Sequence, residues 1–325
     1  MTAKLNAHVA ASRSHRSAAT DGPRTSNPGA SRKHSFGAMV LRALTLPLAM
    51  GAVSTPAWAQ RVEVEPVTFP SLDGKTELKG YIFKARNAPA NAPAVVMMHG
   101  GAGAYSSRAA GDYSAATLTA RHKAWARLLA RSGYVALMVD DFGPFGYPEG
   151  FKGAAYKSRP AAVDEVAYRP LHAYSALGFL QKRPDIDGKR VASLGWSNGG
   201  SATLAAMAVG KPGDMSKAGF RAAIALYPDY RLKRRFVKEG YHPYNPVRVF
   251  VGTADKNVSA KVCEKFVADA RKKGADIALT TFKGATHSYD TPGKQRQSIK
   301  ANAEAKAVTE ADAVAFLAAT LKPAQ

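Results

Sequence analysis

The 325-residue chain has a single cysteine, Cys263. One thiol cannot close an intramolecular disulfide, so the fold must rest on a hydrophobic core even in an oxidising compartment. Acidic residues are scarce: 24 Asp and Glu stand against 46 Lys and Arg, a formal charge of +22. That imbalance implies an acidic partner, an anionic surface nearby or a soluble basic protein, and says little about fold. No Cys, His and carboxylate spacing resembles a metal site, and no cofactor is expected. No nucleic-acid-binding fold signature accompanies the charge, so nucleic acid is not an expected partner. Internal repeats of 20 to 50 residues are missing as well, which excludes solenoids and propellers. What remains is 46% hydrophobic and 22% charged, the balance of a globular protein rather than a disordered one.

Residues Met1 to Gly37 are rich in Ser, Ala, Arg and His and have no apolar periodicity. The uncharged apolar run Ala43 to Val53 follows, preceded by Arg32, Lys33 and Arg42, and then comes Ala57-Trp58-Ala59. Basic flank, short apolar run and small-x-small site are the layout of a secretory signal peptide. The run is too short to span a bilayer as a helix, so no stable membrane insertion is expected after processing. Residues 1–59 are therefore read as extension and signal peptide, residues 60–325 as one domain, and the mature protein as secreted or periplasmic. Removing the leader takes away seven Lys and Arg and one acidic residue, so the remainder still carries +16.

After Gln60 the pattern is two opening strands followed by alternation. Val62 to Phe69 and Leu78 to Phe83 read as an antiparallel pair around an Asp73-Gly74 turn. Ala94 to Met98 and Tyr134 to Val139 read as buried strands, and Val191 to Leu194, Ala222 to Leu226, Val247 to Val251 and Ile277 to Phe282 as strands. Helices are expected over Leu118 to Ala130, Ala161 to Leu180, Gly200 to Val209, Ser259 to Lys272 and Glu310 to Leu321. Such alternation predicts an α/β fold with a mostly parallel sheet and helices on both faces. Ligands in such sheets bind outside the carboxyl ends of the strands.

One strand end carries Gly195-Trp196-Ser197-Asn198-Gly199, followed by a helix of small residues. Strand, Gly-x-Ser-x-Gly and helix together describe a sharp turn that lifts a serine hydroxyl above the sheet. A serine needs a base to act as nucleophile. Of the five histidines after Gln60, His122 and His172 fall within helices and His242 lies in a Pro-rich loop. His99 lies near the site but is wedged before two glycines. His287 follows the last strand and fits the order serine, acid, histidine. Asp255, just past a strand end, takes the acid's place in that order, with Asp229 as its rival. The oxyanion donors are expected from the N–H groups of Asn198 and of Gly101, the latter in the loop His99-Gly100-Gly101-Ala102-Gly103. Arg108 and Trp196 are expected to touch substrate.

These stretches, with Asp140-Asp141-Phe142-Gly143-Pro144 and Gly284-Ala285-Thr286-His287-Ser288-Tyr289-Asp290, resemble the dienelactone hydrolase family of the α/β-hydrolases over about Ala94 to Leu321. The resemblance implies hydrolysis of a carboxylic ester or lactone. The family's founding activity uses a cysteine nucleophile, where this chain has Ser197. Relatives often place an arginine where this chain has Phe145. Many carry a cysteine after the Tyr-Pro that here reads Tyr227-Pro228, one that could pair with a cysteine at the place of Cys263. Here Asp229 and Tyr230 stand there.

The sequence supports two functional readings. The first is a serine hydrolase for a small-molecule ester or lactone, with an anionic substrate as one option the charge allows. The second is a catalytically idle scaffold of the same fold that binds an anionic partner through basic surface such as the run Arg231 to Lys238.

Overall fold

The computed structural model describes residues 61–208, 218–228, 236 and 240–321. The leader, the rival acid Asp229 and all of the run 231–238 except Phe236 lie outside the described residues.

Eight strands form one sheet in the order β1-β2-β4-β3-β5-β6-β7-β8. They are β1 (Val62–Pro70), β2 (Glu77–Ala85), β3 (Ala92–Met98), β4 (Val135–Asp140), β5 (Ile186–Trp196), β6 (Ala222–Leu226), β7 (Val247–Gly252) and β8 (Ile277–Phe282). β2 pairs antiparallel with both β1 and β4, and every other pairing is parallel. The helices are α1 (Ala120–Arg131), α2 (Ala154–Lys157), α3 (Arg169–Gln181), α4 (Asn198–Ala206), α5 (Ala260–Lys272), α6 (Lys294–Gln297) and α7 (Lys300–Thr320).

Side chains alternate across the sheet, so β3 feeds two cores. Val95 and Met97 pack with Trp125 of α1 and Phe316 of α7 on one face. Val96 and Met98 pack with Leu177 of α3, Leu204 of α4 and Val267 of α5 on the other. Central strands buried on both faces read as continuous apolar runs, which is why the sequence pattern finds them.

Two helices depart most from the sequence expectation. Helix α3 begins at Arg169 rather than Ala161. Pro170 stands in its first turn, where a proline cannot continue an upstream helix without meeting a carbonyl four residues back. Asp164 instead turns the chain, its Oδ1 accepting the N–H groups of Val166 and Ala167 at 2.9 and 2.8 Å. Helix α7 starts ten residues before the expected Glu310. Alanines alternating with polar residues from Ala301 to Ala307 hide its period, while Lys300–Glu304 and Lys306–Glu310 pairs run along it.

The carboxyl ends of β3, β4, β5, β6, β7 and β8 open onto the same edge of the sheet. The residues just beyond them, His99, Asp141, Ser197, Tyr227, Asp255 and His287, gather there as the parallel-sheet rule requires.

Candidate active site

Ser197 joins β5 to α4 with φ 51° and ψ −116°, a left-handed conformation that costs a side-chain-bearing residue about 1–3 kcal/mol. The neighbouring glycines make the bend possible. A Cβ on Gly195 would stand 2.2 Å from the Gly199 carbonyl oxygen, and one on Gly199 would stand 2.1 Å from that of Met98. The backbone N–H of Ser197 donates to Leu226 O at 2.9 Å, which pins the elbow to β6. Tyr227 and Ser288 also adopt positive φ. Three of the five described non-glycine residues with positive φ thus lie at the carboxyl edge of the sheet, the others being Asn91 and Ala110.

His287 and Ser197 line one cavity of about 570 Å³, with Gly100, Gly101, Arg121, Tyr156 and Lys256 among its other walls. The Nδ1 atom of His287 lies 2.7 Å from Asp255 Oδ2, and the Asp255 side chain is fully buried. Asp255 Oδ1 accepts the N–H groups of Asn257 and Val258 at 2.8 and 2.9 Å. The imidazole therefore faces a carboxylate fixed from its other oxygen. The Tyr227 ring packs edgewise on His287, with centroids 4.8 Å apart.

Asn198 is the first residue of α4, so its N–H leaves the helix N-terminus without an intrahelical acceptor. The Gly101 carbonyl accepts from Phe151 N at 2.8 Å, which ties the loop after β3 to the segment ahead of α2. A Cβ on Gly101 would stand 2.4 Å from the Tyr156 ring, which would have to shift. Gly101 and Ser197 line the same cavity. His99 points elsewhere: its ring is fully buried, with Nδ1 2.7 Å from Gly100 O. Its Nε2 lies 2.9 Å from Asp141 Oδ1, off the line that a ring N–H bond needs.

The two expected substrate contacts are corrected. Trp196 is fully buried, and its indole N–H donates to Asp290 Oδ2 at 2.9 Å. Strand alternation turns its side chain into the core beneath the elbow. Arg108 is exposed and stands outside the cavity lining. Among the described residues the cations that line the cavity are Arg121, Lys157 and Lys256, and no Asp or Glu lines it. Arg121 was legible in part. It lies four residues before Trp125, on the buried stripe of α1, where an arginine is out of place unless it serves a polar pocket.

Arg121 Nη1 donates to the Tyr227 hydroxyl at 3.1 Å and to Thr291 Oγ1 at 3.4 Å. Tyr227 in turn donates to Asp290 Oδ1. Burial would lower the Arg121 pKa, but Tyr227 and Asp290 outweigh it and hold the pKa above the usual arginine value. Among the described residues no carboxylate lies within ion-pair distance of this guanidinium. Nor do any described His, Cys, Asp or Glu residues cluster in a way that could hold a metal.

Behind the elbow lies a buried polar cluster. Asp141 is bound by Arg169 through two bonds and approached by His99 and His172. Burial would raise its carboxyl, but Arg169, then His99 and His172, hold it well below the usual carboxylate range.

The dienelactone hydrolase family model matches residues 78–321. Among solved structures, a dienelactone hydrolase-like promiscuous phosphotriesterase from metagenomic libraries is 19% identical, with a TM-score of 0.57, over 80% of this chain and 99% of that one. A Pyrococcus furiosus esterase is 16% identical, TM-score 0.53, over 81% and 95% of the two chains. A Thermogutta terrifontis esterase with bound propionate is 19% identical, TM-score 0.51, over 83% and 98%. At these identities the structural likeness speaks to the fold alone.

Proposed function

Since the chain belongs to the dienelactone hydrolase family, we propose that it is a serine hydrolase that cleaves a carboxylic ester or lactone through an acyl-enzyme. The observation that carries this reading is the His287–Asp255 bond of 2.7 Å beside a cavity that His287 shares with a strained Ser197. Ser197 Oγ attacks the carbonyl carbon while His287 Nε2 takes its proton. Asp255 holds the proton on Nδ1 and stabilises the imidazolium. The N–H groups of Asn198 and Gly101 stabilise the tetrahedral oxyanion. His287 then gives its proton to the leaving oxygen, and a water deprotonated by His287 releases the acid.

The test is labelling with a fluorophosphonate and turnover of a short-chain aryl ester. Label on Ser197, and a loss of about 10³-fold or more in kcat for Ser197→Ala with the fold intact, are the expected results. A Ser197→Ala variant with near-wild-type turnover would overturn the reading. The rival reading is an idle scaffold for an anionic partner. Backbone strain at Ser197 and a desolvated Asp255 both cost stability, and a scaffold needs neither.

The substrate in this reading carries an anionic group that seats on Arg121. Among the described residues three cations and no acid stand on the cavity wall, which supports this, as does a guanidinium whose two hydrogen bonds to described residues both leave from Nη1. The protein is also read as exported. Cleavage after Ala59 would leave Gln60 as the first residue, and mass spectrometry of a periplasmic or secreted fraction checks it. An intact leader found only in the cytosol would refute export.

A further inference from the structure

The two oxyanion donors of the proposed mechanism sit on different elements: Gly101 in the loop after β3, and Asn198 at the start of α4. One buried side chain reaches both elements. Arg169, the first residue of α3, is fully buried. Its Nε and Nη2 donate to Asp141 Oδ2 and Oδ1 at 2.8 and 2.9 Å. Nη2 also donates to the His99 carbonyl at 2.9 Å, at the root of the oxyanion loop. Nη1 donates to the side-chain oxygen of Asn198. The Phe142 ring lies 4.8 Å from the guanidinium carbon and fixes its plane.

Asn198 is gripped from its other end too. Its Nδ2 donates to the Tyr156 hydroxyl and to Glu165 Oε2, each at 3.0 Å. The carboxylate of Glu165 is itself held by Arg159. Both Nδ2 hydrogens are spent within the fold, the oxygen is held by Arg169, and the residue is fully buried. Its role must run through its own backbone.

We infer that Arg169 is a positioning residue that sets the spacing between the two oxyanion donors, with Asp141 as its anchor and the Asn198 side chain as its handle. The inference rests on the serine-hydrolase reading above. A planar guanidinium can hold a carboxylate, a backbone carbonyl and an amide oxygen at once, in fixed directions; an ammonium cannot. Donors aimed at the oxyanion act mainly in the transition state, where their bonds tighten. Loosening this strut therefore lowers kcat and leaves substrate affinity alone.

The experiment compares wild type, Arg169→Lys, Asn198→Ala and Leu180→Ala on a short-chain aryl ester. Leu180 is a buried core residue at the other end of α3 from Arg169 and serves as a stability control. Binding of a trifluoromethyl ketone, which forms a tetrahedral oxyanion on the serine, is measured alongside the melting temperature. Arg169→Lys and Asn198→Ala should lose about 10- to 100-fold in kcat, with KM within about twofold. Ketone affinity should fall by the same factor, and the pH of half-maximal rate should not move. Asn198→Ala leaves the Asp141–Arg169 pair whole, so it decides the matter if Arg169→Lys does not fold.

Unchanged kcat and ketone affinity in Asn198→Ala would overturn the inference. So would an equal kcat loss in Leu180→Ala at the same loss of melting temperature. A wild type that neither turns over the ester nor takes a fluorophosphonate label would instead sink the hydrolase reading beneath it.

Discussion

The carboxylate of Asp255 is divided between two tasks: Oδ2 faces His287 Nδ1 at 2.7 Å, and Oδ1 closes its own loop through Asn257 and Val258. Asp255→Asn separates them. The amide oxygen can still accept the two loop N–H groups, so the fold should persist. The amide nitrogen then faces Nδ1 and forces the histidine proton onto Nε2, where it blocks the nucleophile. We expect kcat to fall by about 10³- to 10⁴-fold with only a small change in melting temperature. Steady-state kinetics beside a thermal melt check this, and turnover within tenfold of wild type would remove Asp255 from the mechanism.

Gly199 tests the elbow from the other side. A methyl group there would lie 2.1 Å from the Met98 oxygen and 2.3 Å from the His99 oxygen, both backbone atoms that cannot step aside. Gly199→Ala should push α4 off β3, destabilise the protein by about 1–3 kcal/mol and cost most of the activity. Urea denaturation and ester turnover read the two effects. Wild-type stability would mean that the close approach is not as drawn.

The sheet was legible because its central strands are buried on both faces and bounded by turn residues. The run 222–226 coincides with β6, and 277–282 with β8. The start of α3 was written in Pro170 but outweighed by the apolar content before it. At the site, chain order alone pointed to Ser197, Asp255 and His287, because the fold brings strand ends together in a fixed sequence. Arg108 and Trp196 are near the Gly-rich loop and Ser197 in sequence. Nearness along the chain does not say where a side chain goes: Trp196 is buried in the core, and Arg108 is exposed outside the cavity lining. Arg121 and Arg169 come from helices that local patterning treats as packing elements. The place of Arg121 one turn before Trp125 is legible in the sequence; that it and Arg169 reach the strand ends is a tertiary fact that one sequence does not carry.

His122 makes stability depend on pH. Its ring is fully buried, with Nδ1 2.9 Å from Ala104 O. Burial, and then the Arg121 charge, push its pKa well below the ordinary value of 6.5. The unfolded chain takes up a proton near pH 6.5 while the native ring stays neutral. Stability is therefore present in full above about pH 6.5 and is lost as pH falls from there toward the native value. Between pH 7.5 and 5.5 this group should cost about 1 kcal/mol. His122→Asn can keep a donor to Ala104 without a titrating ring, so its pH dependence should be flatter by that amount. Urea denaturation of both proteins at the two pH values decides it, and parallel losses would acquit His122.

Charge at the cavity makes the last prediction. A net +16 after removal of the leader can speed the arrival of any anion. Arg121 can also pair with a bound anion directly, and the two effects separate by salt and by mutation. Between about 10 and 500 mM salt the Debye length shrinks several-fold, from tens of ångströms to a few. Long-range steering disappears over that range, whereas a partly buried pair is screened much less. An ester bearing a carboxylate should therefore outperform a neutral ester of equal size at low salt, and should keep part of its advantage at 500 mM. Arg121→Gln can still donate to Tyr227 but carries no charge. It should remove the salt-resistant part, about 10- to 100-fold in kcat/KM for the anionic ester, since hydrogen bonds to charged groups are worth about 1.5–3 kcal/mol. The neutral ester should change far less. Lys256→Ala, at the more open rim, should affect mainly the salt-sensitive part. If the anionic and neutral esters are hydrolysed equally at low salt, the positive charge serves solubility or surface association and Arg121 has no anionic ligand. If the preference exists but vanishes at 500 mM in wild type, steering alone explains it and direct pairing is ruled out.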